Sequence, residues 1–183
     1  MLPSQASIEV GSAMALMFIR HLLSVAILPL TMTVLIPWWI ARNAGTILQL
    51  GVDPLSIVIQ CAGVVTLAVG LLLFASSLRQ FVVRGRGTLA PWDPPKHLVI
   101  EGPYRYVRNP MISGVVFILF GEAMLLLSPS HLAWASLFLL LNLIFIPLLE
   151  EPELESRFGE SYREYCRHVS RIVPRLRPWT GVS

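Results

Sequence analysis

Apolar residues along this chain run on rather than alternate, and four runs approach or exceed the roughly 20 mostly apolar residues that a bilayer-spanning helix needs. They cover residues 13–40, 55–83, 111–127 and 132–149. The first contains Trp38 and Trp39 at its end, amphipathic rings that favour the membrane interface. Between the third and fourth runs, Ser128-Pro129-Ser130-His131 is long enough only to turn, so these helices should form an antiparallel hairpin with both outer ends on one side. After Pro152 the pattern changes. Leu154, Phe158, Tyr162, Tyr165 and Val169 recur at helical spacing, with Glu155, Glu160, Arg163, Glu164, Arg167 and Arg171 on the other faces. This predicts one amphipathic helix, ended before Pro174, that lies on the bilayer surface or folds back onto the preceding loop. The expected fold is an all-α polytopic membrane bundle of about four transmembrane helices. Residues 1–84 supply the first two, and residues 85–183 supply a loop, the hairpin 111–150 and the C-terminal helix.

Composition supports the membrane reading. Hydrophobic residues make up 55% of the 183 and charged residues 14%, with a mean hydropathy of +0.67, whereas soluble domains carry about 25% charged residues. Charge placement adds orientation. Of 14 basic residues, six lie at Arg79, Arg84, Arg86, Lys96, Arg105 and Arg108, and six in the tail at Arg157, Arg163, Arg167, Arg171, Arg175 and Arg177. Basic residues mark cytoplasmic segments, so both termini, the loop 84–109 and the tail are expected in the cytoplasm. The net charge of +3 suits anionic lipid headgroups, and no nucleic-acid module is present. The N-terminus lacks a cleavable-signal pattern, so the first run is expected to remain as an anchor. Cys61 and Cys166 have neither metal-ligand spacing nor a disulfide framework.

Three polar groups stand out against this apolar background. The first is the approach to the third run, EGPYRYVRNPM (residues 101–111). Gly102-Pro103 calls for a turn, Pro110 suits the first helical position, and Asn109 is placed to cap that helix, whose start offers N–H groups to an anionic ligand. The second is Glu150, Glu151, Glu153 and Glu155 after the fourth run; carboxylates at a helix C-terminus oppose the macrodipole, so a cation or hydroxyl donors should favour them there. Glu153 and Arg157 are one turn apart and suit a weak surface pair. The third is Glu122, about 16 Å along the helix from Met111 at 1.5 Å per residue and so too deep for the cytoplasmic site. Asn142, His131 or protonation is expected to satisfy it. The hairpin brings the first two groups together at one membrane face.

The order H-L-V-x-x-G-P-Y-R-Y-V-R-N-P (residues 97–110), a helical hairpin, E-E-x-x-L-x-x-x-F-G-x-x-Y-x-x-Y (residues 150–165) and V-x-R-x-x-P (residues 169–174) resembles the isoprenylcysteine carboxyl methyltransferase and phospholipid methyltransferase family. The resemblance covers the C-terminal half and implies a membrane-embedded methyltransferase that uses S-adenosyl-L-methionine. It further implies a cofactor pocket from Lys96, His97, Leu98, Val99, Gly102, Tyr104, Asn109, Pro110, Met111 and Ile112, with Glu150 from the far helix. Arg108 and Glu151 match positions that orient the site, and His97 or Glu151 is the candidate base for an amine acceptor. Two departures are informative. Many members read R-H-P-x-Y where this chain reads Arg108-Asn109-Pro110-Met111-Ile112, and Ile146 stands where prenylcysteine enzymes carry a substrate-contacting arginine. The implied acceptor is therefore a lipid or other amphiphile, carboxylate or amine, rather than a prenylcysteine.

Two other functions fit parts of the pattern. An NADPH-dependent membrane reductase of the steroid-reductase type has a similar R-Y-x-R-H-P-N-Y stretch before a membrane helix, but Glu150-Glu151 and the following F-G-x-x-Y favour the methyltransferase. A non-catalytic membrane scaffold would keep the motifs only for packing.

Overall fold

The computed structural model describes residues 28–84, 98 and 100–181, and among these there is helix, turn and irregular chain but no strand. A π-helical stretch, Thr31–Leu35, leads into α1, Ile36–Ala44. Pro37 lacks an N–H, so in the i→i−5 register the Met32 carbonyl has no main-chain donor. The Trp134 indole donates to that carbonyl instead, at 3.1 Å.

Helix α2, Pro54–Arg84, starts behind Asp53, whose carboxylate accepts from the Ser56 N–H at 3.0 Å, an Asp cap with proline at the first helical position. Helix α3, Pro110–Leu125, packs along it. Glycines spaced by seven, Gly63 and Gly70 on α2 and Gly114 and Gly121 on α3, let the backbones touch. A Cβ built on Gly114 would lie 2.8 Å from the Phe74 nitrogen, and one on Gly121 would lie 2.7 Å from the Leu67 nitrogen. Because those neighbours are backbone, the helices themselves would have to separate. Gly114→Ala is therefore expected to lower stability in detergent by about 1–3 kcal/mol, the usual cost of overpacking; a thermal midpoint equal to wild type would refute the contact.

The chain reverses at Leu126–Ser128, with Leu127 in the left-handed region at φ 48°. Ser128 caps α4, Pro129–Phe145, through its hydroxyl and the His131 N–H. The hairpin is present, and its turn is tighter than expected because Pro129 already begins the helix. A second π-helical stretch, Ile146–Glu150, continues α4 into α5, Glu151–Phe158. Pro147 lies within this stretch and Pro152 just after it, each lacking an N–H for the ladder. The predicted single tail helix is instead two: Gly159, at φ 55°, breaks it into α5 and α6, Glu160–His168, and Val169 is already extended.

Among the described residues two helices, Pro54–Gln80 and Pro129–Phe158, are long and apolar enough to cross a membrane, with mean hydropathies of 2.5 and 2.3. Only 17% and 11% of their most apolar windows are buried, so these side chains point outward, as lipid-facing helices require. The third run forms a 16-residue helix, about 24 Å at 1.5 Å per residue, which is shorter than the roughly 30 Å hydrocarbon core. Of the first run only the part from Leu28 lies within the described residues. Neither expected partner reaches Glu122, which leaves protonation of the three expectations: Asn142 donates to its own helix at Phe138, and His131 bridges the Ser128 hydroxyl and the Pro37 carbonyl. Glu122 Oε2 is buried with no hydrogen-bond partner.

Candidate functional site

Everything distinctive about the polar end starts from how residues 101–109 are held. Gly102, at φ 55°, opens a 3₁₀ turn, Gly102–Arg105, and the left-handed conformation there explains a glycine. Gln80 of α2 donates to the Glu101 carbonyl at 3.3 Å, pinning the turn to the helix. The following strand-like segment is laced to the tail by main-chain bonds: Arg108 N–H to Ser170, Asn109 N–H to Arg171, Arg175 N–H to Tyr106 and Trp179 N–H to Arg105. Apolar packing seals this arrangement. Tyr162, Tyr165 and Val169 are buried against Leu98, Ile100, Leu154, Phe158 and Trp179, so the amphipathic face folds back onto the loop. The Tyr165 hydroxyl donates to the Tyr104 carbonyl at 2.7 Å, and burial pushes that phenol's pKa up.

Glu151 is the junction of the charged groups. Its Oε1 accepts from Arg108 Nη1 at 2.8 Å and from Arg171 Nε at 2.7 Å, and its Oε2 accepts from Arg171 Nη2 at 2.7 Å. The Arg171 contact is bidentate, the strong geometry for a guanidinium and a carboxylate. One side chain thus ties the start of α5 to the loop and to the tail. Burial raises the Glu151 pKa, but the hydrogen bonds and charges of Arg171 and Arg108 outweigh it and leave the group below the usual carboxylate range. Arg108 Nη1 also donates to the Cys166 sulfur.

The other acidic residues fall into place around this junction. Helix continues past Glu150 to Phe158, so the cluster does not terminate a helix as expected. The chain's own arginines neutralise most of it: Glu155 pairs with Arg163 at 2.6 Å, and Glu153 with Arg157 at 3.8 Å, as the one-turn spacing predicts. Glu150 is the exception. The residue as a whole is exposed, but crowding of its carboxyl by protein atoms, then the charges of Glu151 and Glu153, push its pKa up, and it makes no hydrogen bond or ion pair among the described residues. It does lie near Tyr104, whose phenol is pushed up by burial and then by the Glu150 charge.

Asn109 also differs from expectation. It occupies the N-cap position of α3, and Pro110 is the first helical residue, but the asparagine side chain makes no capping bond. Its side-chain amide is unengaged among the described residues and the residue is half-buried, while its main-chain carbonyl accepts from Ser113 N–H. Met111 and Ile112 are half-buried behind it and Pro110 is buried. Leu98 lies in the tyrosine cluster, and Lys96, His97 and Val99 lie outside the described residues. Arg171, the arginine of V-x-R-x-x-P, joins the site through Glu151 although the sequence pattern alone assigns it no role there.

Long helices with apolar side chains turned outward and a charged cluster of loop and tail at one end are the architecture of a membrane protein. The family model described as Phospholipid methyltransferase matches residues 58–161, more than half of the chain. This protein belongs to that family and is a membrane methyltransferase. The match begins inside α2, so it takes in a helix that had been recognised only by its hydropathy, and it ends before Arg171. No curated protein and no solved structure matches the chain.

Proposed function

We propose that the protein transfers a methyl group from S-adenosyl-L-methionine to a lipid or other amphiphilic acceptor at the cytoplasmic surface of the membrane. The observation that carries this reading is two groups unengaged among the described residues, the Glu150 carboxylate and the Asn109 side-chain amide, at the end of the molecule where the Gly102–Arg105 turn is tied to α2 and to the tail. A carboxylate without a protein partner suits ribose hydroxyls or an ammonium, and an unused amide can both donate and accept. Tyr104, Met111 and Ile112 supply the aromatic and apolar surface that an adenine base and a methionyl chain need, and Gly102 and Pro110 shape the backbone around them. The chemistry of the donor set therefore fits the cofactor.

When bound, the cofactor supplies a methyl already activated on a sulfonium, so the protein's contribution is orientation and exclusion of water. Glu150 and Asn109 would fix the cofactor's polar ends. Arg108 and Glu151, each committed to the other, would keep the turn and α5 at the right separation; a carboxylate held low by two guanidiniums is a poor base, so Glu151 is read as a positioning residue. His97 is then the candidate to take a proton from an amine acceptor, and a carboxylate acceptor needs no base. The clustering of basic residues supports a multi-pass topology with both termini and the site in the cytoplasm.

S-adenosylhomocysteine is expected to raise the thermal midpoint of the purified protein, as any ligand specific for the folded state must, and NADPH to leave it unchanged. Stabilisation by NADPH alone would overturn the proposal in favour of a reductase, and labelled methyl transfer into a total membrane lipid extract would identify the acceptor fraction.

A further inference from the structure

Between α2 and the Gly102–Arg105 turn runs a groove of about 610 Å³ that shares only Gly102 with the cofactor residues. One wall is α2. Leu72, Leu73, Ser76, Arg79 and Gln80 follow the i, i+1, i+4, i+7, i+8 spacing of a single helical face. The other wall is the turn itself with Tyr106. The α2 face changes character along its length: leucines first, with Leu72 71% exposed, then a serine, then an arginine beside a glutamine, over about 12 Å at 1.5 Å per residue. Apolar below and cationic above is the order in which a bilayer presents acyl chain and headgroup.

Arg79 stands one residue before the end of the spanning stretch Pro54–Gln80. It is exposed and makes no hydrogen bond or ion pair among the described residues, whereas Gln80 next to it is committed to the Glu101 carbonyl. An arginine that only anchors a helix needs nothing beneath it; this one tops a groove of the size that takes a headgroup and its first methylenes. A planar guanidinium there is suited to an oxyanion.

We propose that this groove is where the methyl acceptor arrives from the bilayer, that the acceptor is a negatively charged amphiphile, and that Arg79 selects it by binding the negative group. The proposal rests on the methyltransferase reading. The acyl chain lies against Leu72 and Leu73, and the headgroup end of the groove meets the cofactor residues at Gly102. Arg79 thereby sets specificity without touching the cofactor.

The test uses full-length protein in an uncharged detergent, with dioleoylphosphatidylglycerol as the anionic probe and dioleoylglycerol as its uncharged counterpart. Arg79→Gln is expected to weaken retention of the anionic lipid at least tenfold in native mass spectrometry. Retention of dioleoylglycerol, affinity for S-adenosylhomocysteine and the thermal midpoint should stay at wild-type values, and Arg79→Lys should restore much of the loss. In the methyl-transfer assay on membrane extract, Arg79→Gln should raise KM with little change in kcat. Equal retention of the anionic lipid by Arg79→Gln and wild type would overturn the proposal. So would lost retention with an unchanged KM, which would make the lipid a bystander of the bundle. Wild-type protein that neither binds S-adenosylhomocysteine nor transfers methyl groups would overturn the methyltransferase reading, and the acceptor assignment with it.

Discussion

Glu151→Ala is expected to cost the purified protein about 2–4 kcal/mol, somewhat less than the ~3–5 kcal/mol of a fully buried broken pair because Arg171 is 28% exposed. The substitution leaves Arg108 and Arg171 close together with no anion between them. Arg108 is already under-satisfied, with Nε buried and unpartnered, and would keep only the Cys166 sulfur. Because Glu151 joins α5, the 105–109 segment and the tail, the damage should spread: faster hydrogen exchange at residues 170–179 and weaker cofactor binding together. Glu151→Gln keeps the shape and an acceptor but not the charge, and should fall between. Acid provides an independent check. The Glu151 pKa lies lower in the folded protein than in the unfolded chain, so its contribution is complete above the unfolded value and lost as pH falls through the folded one. Wild-type protein should therefore destabilise on acidification below the usual carboxylate range, and Glu151→Gln should lack that part of the pH dependence. Wild-type stability in Glu151→Ala would show that the ion pairs only decorate the surface.

Much of this arrangement could be read from hydropathy and from spacing. The long apolar runs announced α2 and the hairpin, and the hairpin brought EGPYRYVRNPM to Glu150 and Glu151, where Arg108 indeed meets Glu151. What hydropathy misses is register. Pro147 and Pro152 mark the widened turn that carries α4 into α5, but a proline alone does not say whether a helix ends, kinks or shifts to π. Gly159 sits inside a convincing helical period, and periodicity outweighed it although its positive φ splits the tail in two. The seven-residue glycine spacing in α2 and α3 was legible too, yet reads as plain apolar sequence until the backbones are seen in contact. Arg171 was hardest to assign, since a tail arginine looks like a solvated charge until the tail folds back.

The sharper result should come from the neighbouring carboxylate. Glu150→Ala is expected to weaken S-adenosylhomocysteine binding by roughly 10- to 150-fold, the equivalent of losing a hydrogen bond to a charged group worth about 1.5–3 kcal/mol. Stability without ligand should hardly change, because Glu150 is exposed and no hydrogen bond or ion pair among the described residues depends on it. Glu150→Gln keeps one acceptor oxygen and should retain part of the affinity. Glu150 and Glu151 are adjacent and identical in chemistry, yet they predict opposite phenotypes: one loses ligand and keeps its fold, the other loses fold and ligand together. That contrast separates a cofactor site from a packing motif. If Glu150→Ala binds S-adenosylhomocysteine as tightly as wild type, the cofactor lies elsewhere. If it unfolds, Glu150 is structural, and the polar end of this bundle is a scaffold of ion pairs rather than a site.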